Sequence, residues 1–256
     1  NSAPSVEAGL WYRPNWFPKK GEISWRESCD REVEMVRSKV GVCDVSTLGK
    51  IDVQGPDSAT LLDFVYTNKV SSLKLGKIRY GLMLREDGHV MDDGTCARVG
   101  SNHFIITTTT AAAGQVMRHL EFVLQVLRPD IDAQVISVTE QWAQFSIAGP
   151  RSRDLLNEIC KEEISDETIT FMSTLSVSID DISARLFRIS FSGEHAYEIA
   201  VPASYGDAMM RLLASKAKKF GGGPYGMEAL NVLRIEKGFI THAEIDGRVT
   251  AKDIGM

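Results

Sequence analysis

Residues 51–65 read IDVQGPDSATLLDFV, and residues 145–159 read FSIAGPRSRDLLNEI. Each stretch opens as a short apolar strand, breaks at Gly-Pro, and resumes as a helix. Gly55 and Gly149, Pro56 and Pro150, Ser58 and Ser152, Leu61 and Leu155, and Leu62 and Leu156 all share one offset. Proline suits the first turn of a helix, because the N–H it lacks would have had no partner there. Five coincident positions predict two related modules, each with strands and a helix. The offset is far longer than any solenoid period.

Outward from the first echo, residues 78–84 (IRYGLML) and 90–99 (VMDDGTCARV) flank Asp87-Gly88, a strong signal for a two-residue hairpin turn. Residues 104–110 (FIITTTT) predict a further strand. The helix after it presents Val116, Leu120, Val123, Leu124 and Leu127, with Pro129 just beyond. In the second module, residues 184–191 and 197–201 form a hairpin around Ser192-Gly193-Glu194-His195. A helix follows Pro202, residues 221–224 (GGGP) are a loop, and residues 227–237 are the last helix. Strands that come in hairpins predict an α+β fold of two antiparallel-sheet modules with flanking helices. Ahead of both modules, residues 11–18 (WYRPNWFP) read as an extended aromatic arm. Ser24 and Glu27 make a capping box, followed by an apolar stripe of Trp25, Cys29, Val33, Val36 and Val40 that Gly41 is expected to end.

The chain has 256 residues, 43% of them hydrophobic and 25% charged, with 29 Lys and Arg against 34 Asp and Glu for a net charge of −5. That profile is globular, and it lacks the basic footprint nucleic acid demands. No apolar run reaches membrane-spanning length, and NSAPSVEAG lacks the features of a signal peptide. Cys29, Cys43, Cys96 and Cys160 include no CxxC pair, so they read as free thiols of a cytoplasmic protein. The five histidines lack metal-ligand spacing, and no metal is expected. GxSxG, HExxH and Walker patterns are missing, as are flavin and nicotinamide fingerprints.

Two clusters stand out. Asp92-Asp93-Gly94 lies within a strand, where aspartate is disfavoured. Successive side chains alternate faces, so one carboxylate points inward or into a cleft unless the pair simply guards a sheet edge or makes an Asx turn. Glu198 lies opposite the apolar face of Tyr197, Ile199 and Val201, between Ala196 and Ala200. Such a carboxylate has room for a flat partner offering two parallel N–H donors; a solvated strand position is the plain alternative. Glu194 and His195 read as polar turn residues. Arg234 and Glu236, two apart on a helix, do not face one another.

VCDVSTLGKI at residues 42–51, the Gly-Pro helix starts, the DDG strand, the GEHAYE hairpin and LRIEKG at residues 233–238 together resemble the glycine cleavage T-protein (aminomethyltransferase) family. RYGL at 79–82, TTTT at 107–110, EQWA at 140–143, RLFR at 185–188 and PYG at 224–226 are similar, more narrowly, to the T-protein-like region of heterotetrameric sarcosine oxidase alpha subunits. The resemblance runs over residues 8–256. It implies a tetrahydrofolate-binding fold divided as residues 1–50 with 137–256, and an inserted 51–136. It also implies that Asp93 is catalytic, positioning the folate nitrogen and stabilising a cationic one-carbon centre. Glu198 then grips the pterin, and Tyr80 and Leu48 line its pocket.

Thr109, a further folate-binding position, stands where aminomethyltransferases carry Asn, and Leu230 where they carry Arg. Both departures count against an aminomethyl-lipoyl donor. The family continues past Met256 into a barrel-like domain, expected to be missing here. The implied function is enzymatic: capture of the methylene of an oxidised amine as methylenetetrahydrofolate, with release of glycine. Its partners are folate, a small amine-derived imine and the other sarcosine oxidase subunits, where FAD, FMN and NAD would reside. Aminomethyl transfer of the glycine cleavage type, another folate-dependent demethylation, and a non-catalytic folate-binding or assembly module are the alternatives.

Overall fold

The two Gly-Pro turns are superposable in kind in the computed structural model, which describes residues 3–256. Gly55 and Gly149 have φ of 129° and 122°, and each carbonyl accepts the amide of the serine three residues on. A Cβ on Gly149 would lie 2.4 Å from the Val36 carbonyl oxygen, and one on Gly55 2.5 Å from that of Asp132. Only glycine allows the backbones to approach so closely. The prolines sit in the turn itself, and the helices begin two residues later at Ser58 and Ser152.

In chain order the elements are β1 (Ser5–Ala8), β2 (Trp11–Pro14), α1 (Trp25–Ser38), β3 (Gly41–Asp44), β4 (Gly49–Gln54), α2 (Ser58–Val65), β5 (Ile78–Leu84), β6 (Val90–Gly100), β7 (His103–Thr108) and α3 (Ala113–Phe122). There follow β8 (Gln134–Ser137), β9 (Trp142–Ala148), α4 (Ser152–Asn157), β10 (Ser173–Ile179), β11 (Ile182–Arg188), β12 (Ala196–Pro202), α5 (Gly206–Lys219), β13 (Gly223–Pro224) and α6 (Met227–Glu236). Among the described residues no helix is long and apolar enough to cross a membrane.

Two compact units result, one of Asn1–Ser46 with Gln141–Phe239, the other of Thr47–Glu140 with Ile240–Met256. In the first, or flanking, unit a six-stranded sheet runs β10-β11-β12-β9-β3-β13. Its pairs are antiparallel except β13 with β3. One face carries the core: Val42, Phe145, Ile147, Tyr197, Ile199 and Leu186 against Leu155, Leu156 and Leu213. In the second, or inserted, unit an antiparallel sheet runs β5-β6-β7-β4-β8. Ile51, Val53, Phe104 and Ile106 of that sheet pack on Leu61, Leu62, Val116 and Leu120.

Three expectations are corrected. Residues 240–256, expected with the flanking unit, belong with the inserted one, because Val90 N–H donates to the Val249 carbonyl at 2.8 Å and His89 bridges Thr250. The aromatic arm is not simply extended: β1 and β2 pair as a hairpin about Gly9, and Arg13 is buried. Gly41 does not cap α1, which ends at Ser38. It begins β3, where a Cβ would strike Val36 and Tyr225. Ser24 does cap α1, accepting the Glu27 amide, while Glu27 reaches back to the Ile23 amide rather than to that of Ser24.

Candidate functional site

In the inserted unit the tight turn at Asp87-Gly88 sets the register of β5 against β6, pairing Tyr80 with Thr95 and Leu82 with Asp93. Tyr80 and Asp93 are therefore diagonal neighbours on one face, within reach of a long side chain. The Tyr80 hydroxyl donates to Asp93 Oδ2 at 2.8 Å. Burial lifts the Asp93 carboxyl above its ordinary range, and the phenol partly opposes that. Burial likewise raises the Tyr80 phenol, and the charge of Asp93 adds to the effect. Gly94 follows because its Cα lies so near β7 that a Cβ would meet the Thr107 carbonyl oxygen.

Asp92 points to the opposite face and is 3% exposed. Its Oδ1 accepts the Thr109 hydroxyl at 2.7 Å and its Oδ2 the Thr109 amide at 3.2 Å. Burial pushes this carboxyl up to about 7, with Thr109 pulling it down and Asp93 pushing it further up. Asp92 and Thr109 line a cavity of about 180 Å³ with Met91, Gln115, His242 and Ile245. Thr109 is thus bound to Asp92 and not to Asp93. Leu48, half-buried ahead of β4, offers its carbonyl to the ammonium of the buried Lys50 at 2.9 Å.

In the flanking unit Glu198 lies where the alternation of β12 puts it, facing away from the core side chains Tyr197, Ile199 and Val201. It is 6% exposed and pairs across the ladder with Ser146, which in turn pairs with Cys43. Gln144 Nε2 donates to Glu198 Oε2. This face of the sheet is polar and buried, a placement that requires its groups to be hydrogen-bonded. His195 is more than a turn residue. Its Nε2 lies 3.1 Å from the Tyr197 hydroxyl, which accepts from Arg153 Nε at 3.2 Å.

Sequence reasoning singled out Asp93, Tyr80, Thr109, Leu48 and Glu198. The structure joins the first two directly and gives Thr109 to Asp92. Sequence reasoning named Asp92 without its partner Thr109 and gave no part to Gln144, which donates to Glu198. The strand alternation that separates Asp92 from Asp93 was readable, but which face is buried is decided by β7 and α3.

The family model for the GCVT N-terminal domain matches residues 1–256. The chain belongs to this family. As a GCVT N-terminal domain it is 52% identical over 258 residues to the sarcosine oxidase subunit alpha of Rhizobium meliloti (strain 1021), an alignment covering 100% of this chain and 26% of that one. It is 30% identical to the aminomethyltransferase of Oceanobacillus iheyensis, covering 99% of this chain and 65% of that protein. Among solved structures it is similar to the glycine cleavage system aminomethyltransferase T of Bartonella henselae, with a TM-score of 0.78 at 22% identity, over 93% of this chain and 60% of that one. That likeness is one of fold: mixed helices and antiparallel sheets, as the Gly-Pro echo and the hairpins predict. The GCVT N-terminal domain spans about a quarter of the length of the sarcosine oxidase alpha subunit it matches.

Proposed function

We propose that this chain is the tetrahydrofolate-binding, one-carbon-transferring region of a sarcosine oxidase alpha subunit. The reading rests on one observation: the carboxylates that match the family's folate positions, Glu198 buried and Asp93 half-buried, lie on sheet faces, and each is held by a neighbouring donor, Gln144 or Tyr80. An aminopyrimidinone edge presents N–H donors beside an acceptor. A buried carboxylate next to a carboxamide, flanked by the small Ala196 and Ala200, offers the complementary set. The residues fit the group.

Tetrahydrofolate, when bound, supplies the amine nitrogens that take up carbon at the formaldehyde level, so that methylenetetrahydrofolate and glycine are the products. Glu198 orients the pterin. Asp93 accepts a proton from an amine nitrogen at its carboxylate oxygens and, when ionised, stabilises positive charge developing on the one-carbon unit. Removal from water strengthens that stabilisation. Tyr80 fixes the rotamer of Asp93 and keeps one oxygen occupied, leaving the other for the substrate. Leu230, buried in α6, puts no cation where aminomethyltransferases have one. This favours a free imine from an oxidised amine over a lipoyl-borne aminomethyl group.

The test is calorimetric titration of the intact protein with a stable reduced folate, beside Glu198→Ala and Asp93→Asn. Saturable binding lost in Glu198→Ala, together with Asp93→Asn that binds but no longer captures methylene from sarcosine oxidation, is the expected result. Binding indifferent to Glu198→Ala, or capture undiminished in Asp93→Asn, would overturn it.

A further inference from the structure

Arg13 is the charged residue of the aromatic arm, and its burial has no evident place in folate chemistry. It is 7% exposed. Its Nη2 donates to the Asp44 carbonyl at 2.9 Å and lies 3.8 Å from Cys43 Sγ. Its Nε has no hydrogen-bond partner, and among the described residues no carboxylate lies within ion-pair distance of the guanidinium. A buried cation left without a counter-charge is costly, so a fold retains one readily only where something else supplies the anion.

The same guanidinium lines a cavity of about 230 Å³ whose other walls include Phe17, Cys43, Asp44, Met210 and Tyr225. Asp44 brings the second charge. Its Oδ1 accepts the Ser46 amide at 2.8 Å, which holds the carboxylate in place. Arg13 and Asp44 both border this cavity, and Arg13 is bonded to the backbone oxygen of Asp44 and not to its side chain, so the two opposite charges do not close on each other. Phe17 and Met210 complete it with apolar surface. Cys43 stays a neutral thiol, its ionisation pushed up to about 11 by burial.

We propose that this cavity of the flanking unit is a binding site for a small zwitterionic amino acid, its carboxylate on Arg13 and its ammonium on Asp44. Separated unlike charges with apolar walls match a ligand that carries both charges on adjacent atoms. The volume falls below that of pockets for drug-sized molecules and suits a ligand with a short side chain. The site stands on its own residues and does not depend on the folate reading.

The experiment is calorimetric titration of the intact protein with glycine, acetate and methylammonium, repeated on Arg13→Gln, Asp44→Asn and Met210→Trp. Thermal melts of each variant check folding. Glycine is expected to bind saturably, and acetate and methylammonium about tenfold more weakly or worse. Arg13→Gln is expected to weaken glycine by about 30-fold or more, and Met210→Trp, which fills the cavity and leaves both charges, to abolish binding. If Arg13→Gln does not fold, Asp44→Asn and Met210→Trp decide the matter alone. No saturable glycine binding to folded wild type would overturn the proposal. So would acetate binding as tightly as glycine, or glycine binding unchanged in every folded variant.

Discussion

Tyr80 and Asp93 stand one diagonal step apart on neighbouring antiparallel strands, and the phenol donates to the carboxylate at 2.8 Å. The hydrogen bond favours the ionised acid while burial disfavours it, and burial has the larger effect. Tyr80→Phe is therefore expected to move the ionisation of Asp93 to higher pH. It should also cost about 1.5–3 kcal/mol of stability, the usual worth of a hydrogen bond to a charged group. A carboxyl-carbon NMR titration of the variant checks the first point. An unmoved or downward-shifted ionisation would contradict the assignment.

Asp92 makes the fold sensitive to pH in a definite direction. An unfolded aspartate ionises near the ordinary value of about 3.9, whereas the native carboxyl is lifted to about 7, chiefly by burial. Between those values the native state holds the extra proton. Its stabilising contribution is thus complete below the lower value and is lost as pH rises through the higher one. Asp92→Asn, which keeps an acceptor for the Thr109 amide, is expected to flatten the fall in stability between pH 4 and 7 and to be more stable than wild type at pH 8 by roughly 1–3 kcal/mol. Melting temperatures across that range test it, and identical pH profiles for the two proteins would refute it.

Glu32 is a second buried carboxylate with a purely structural task. Fully enclosed on α1, it accepts the Phe17 amide on Oε1 at 2.7 Å and the Gly226 amide on Oε2 at 2.8 Å. The aromatic arm and the start of α6 are thereby tied to one side chain. Glu32→Ala would strand two backbone donors and should destabilise by about 3 kcal/mol, with Glu32→Gln intermediate. Urea unfolding measures both, and a loss below 1 kcal/mol in Glu32→Ala would show that the amides find other partners.

Two glycines that share a positive φ should respond unequally to alanine. Gly149, at φ 122°, has no room for a Cβ beside the Val36 and Lys39 carbonyls, whereas Gly88, at φ 82°, has nothing within 4 Å. Gly149→Ala is expected to lose about 3 kcal/mol or more and Gly88→Ala about 1 kcal/mol. Equal losses, read by chemical denaturation, would mean that backbone angle alone sets the cost.

Local signals in the sequence carried far. Gly-Pro marked both strand-to-helix turns, Asp87-Gly88 marked the β5–β6 hairpin, and alternation along β12 put Glu198 opposite the core. What escaped was non-local. β3 is only four residues long and takes its identity from β9 and from β13, far along the chain. β8 is a largely exposed edge strand whose pairing with β4 supplies what its pattern does not. Residues 240–256 hold no strong local signal, so their attachment to Val90 could not be read in advance. Nothing near Arg13 in the sequence announces its burial. The bond of Thr109 to Asp92 was equally out of reach, because β7 and the turn after it decide which carboxylate it meets.

The parallel step between Gly223 and Gly41 has a consequence for how the chain is made. Every strand of the β5-β6-β7-β4-β8 sheet precedes β9 in the chain, so that sheet can assemble from neighbours in sequence. β3, synthesised before all of them, must wait with its ladder groups unpaired until β9 arrives, and is paired on both sides only once β13 follows. Closing so long a loop is slow compared with forming hairpins. Nascent chains stalled far enough on for Glu140 to have cleared the ribosome, with β9 still inside it, are expected to resist protease across β4–β8 while remaining cleavable in the segment before Ser46. Synthesis thus finishes the interior of the sequence first and leaves its oldest residues to be folded among the last.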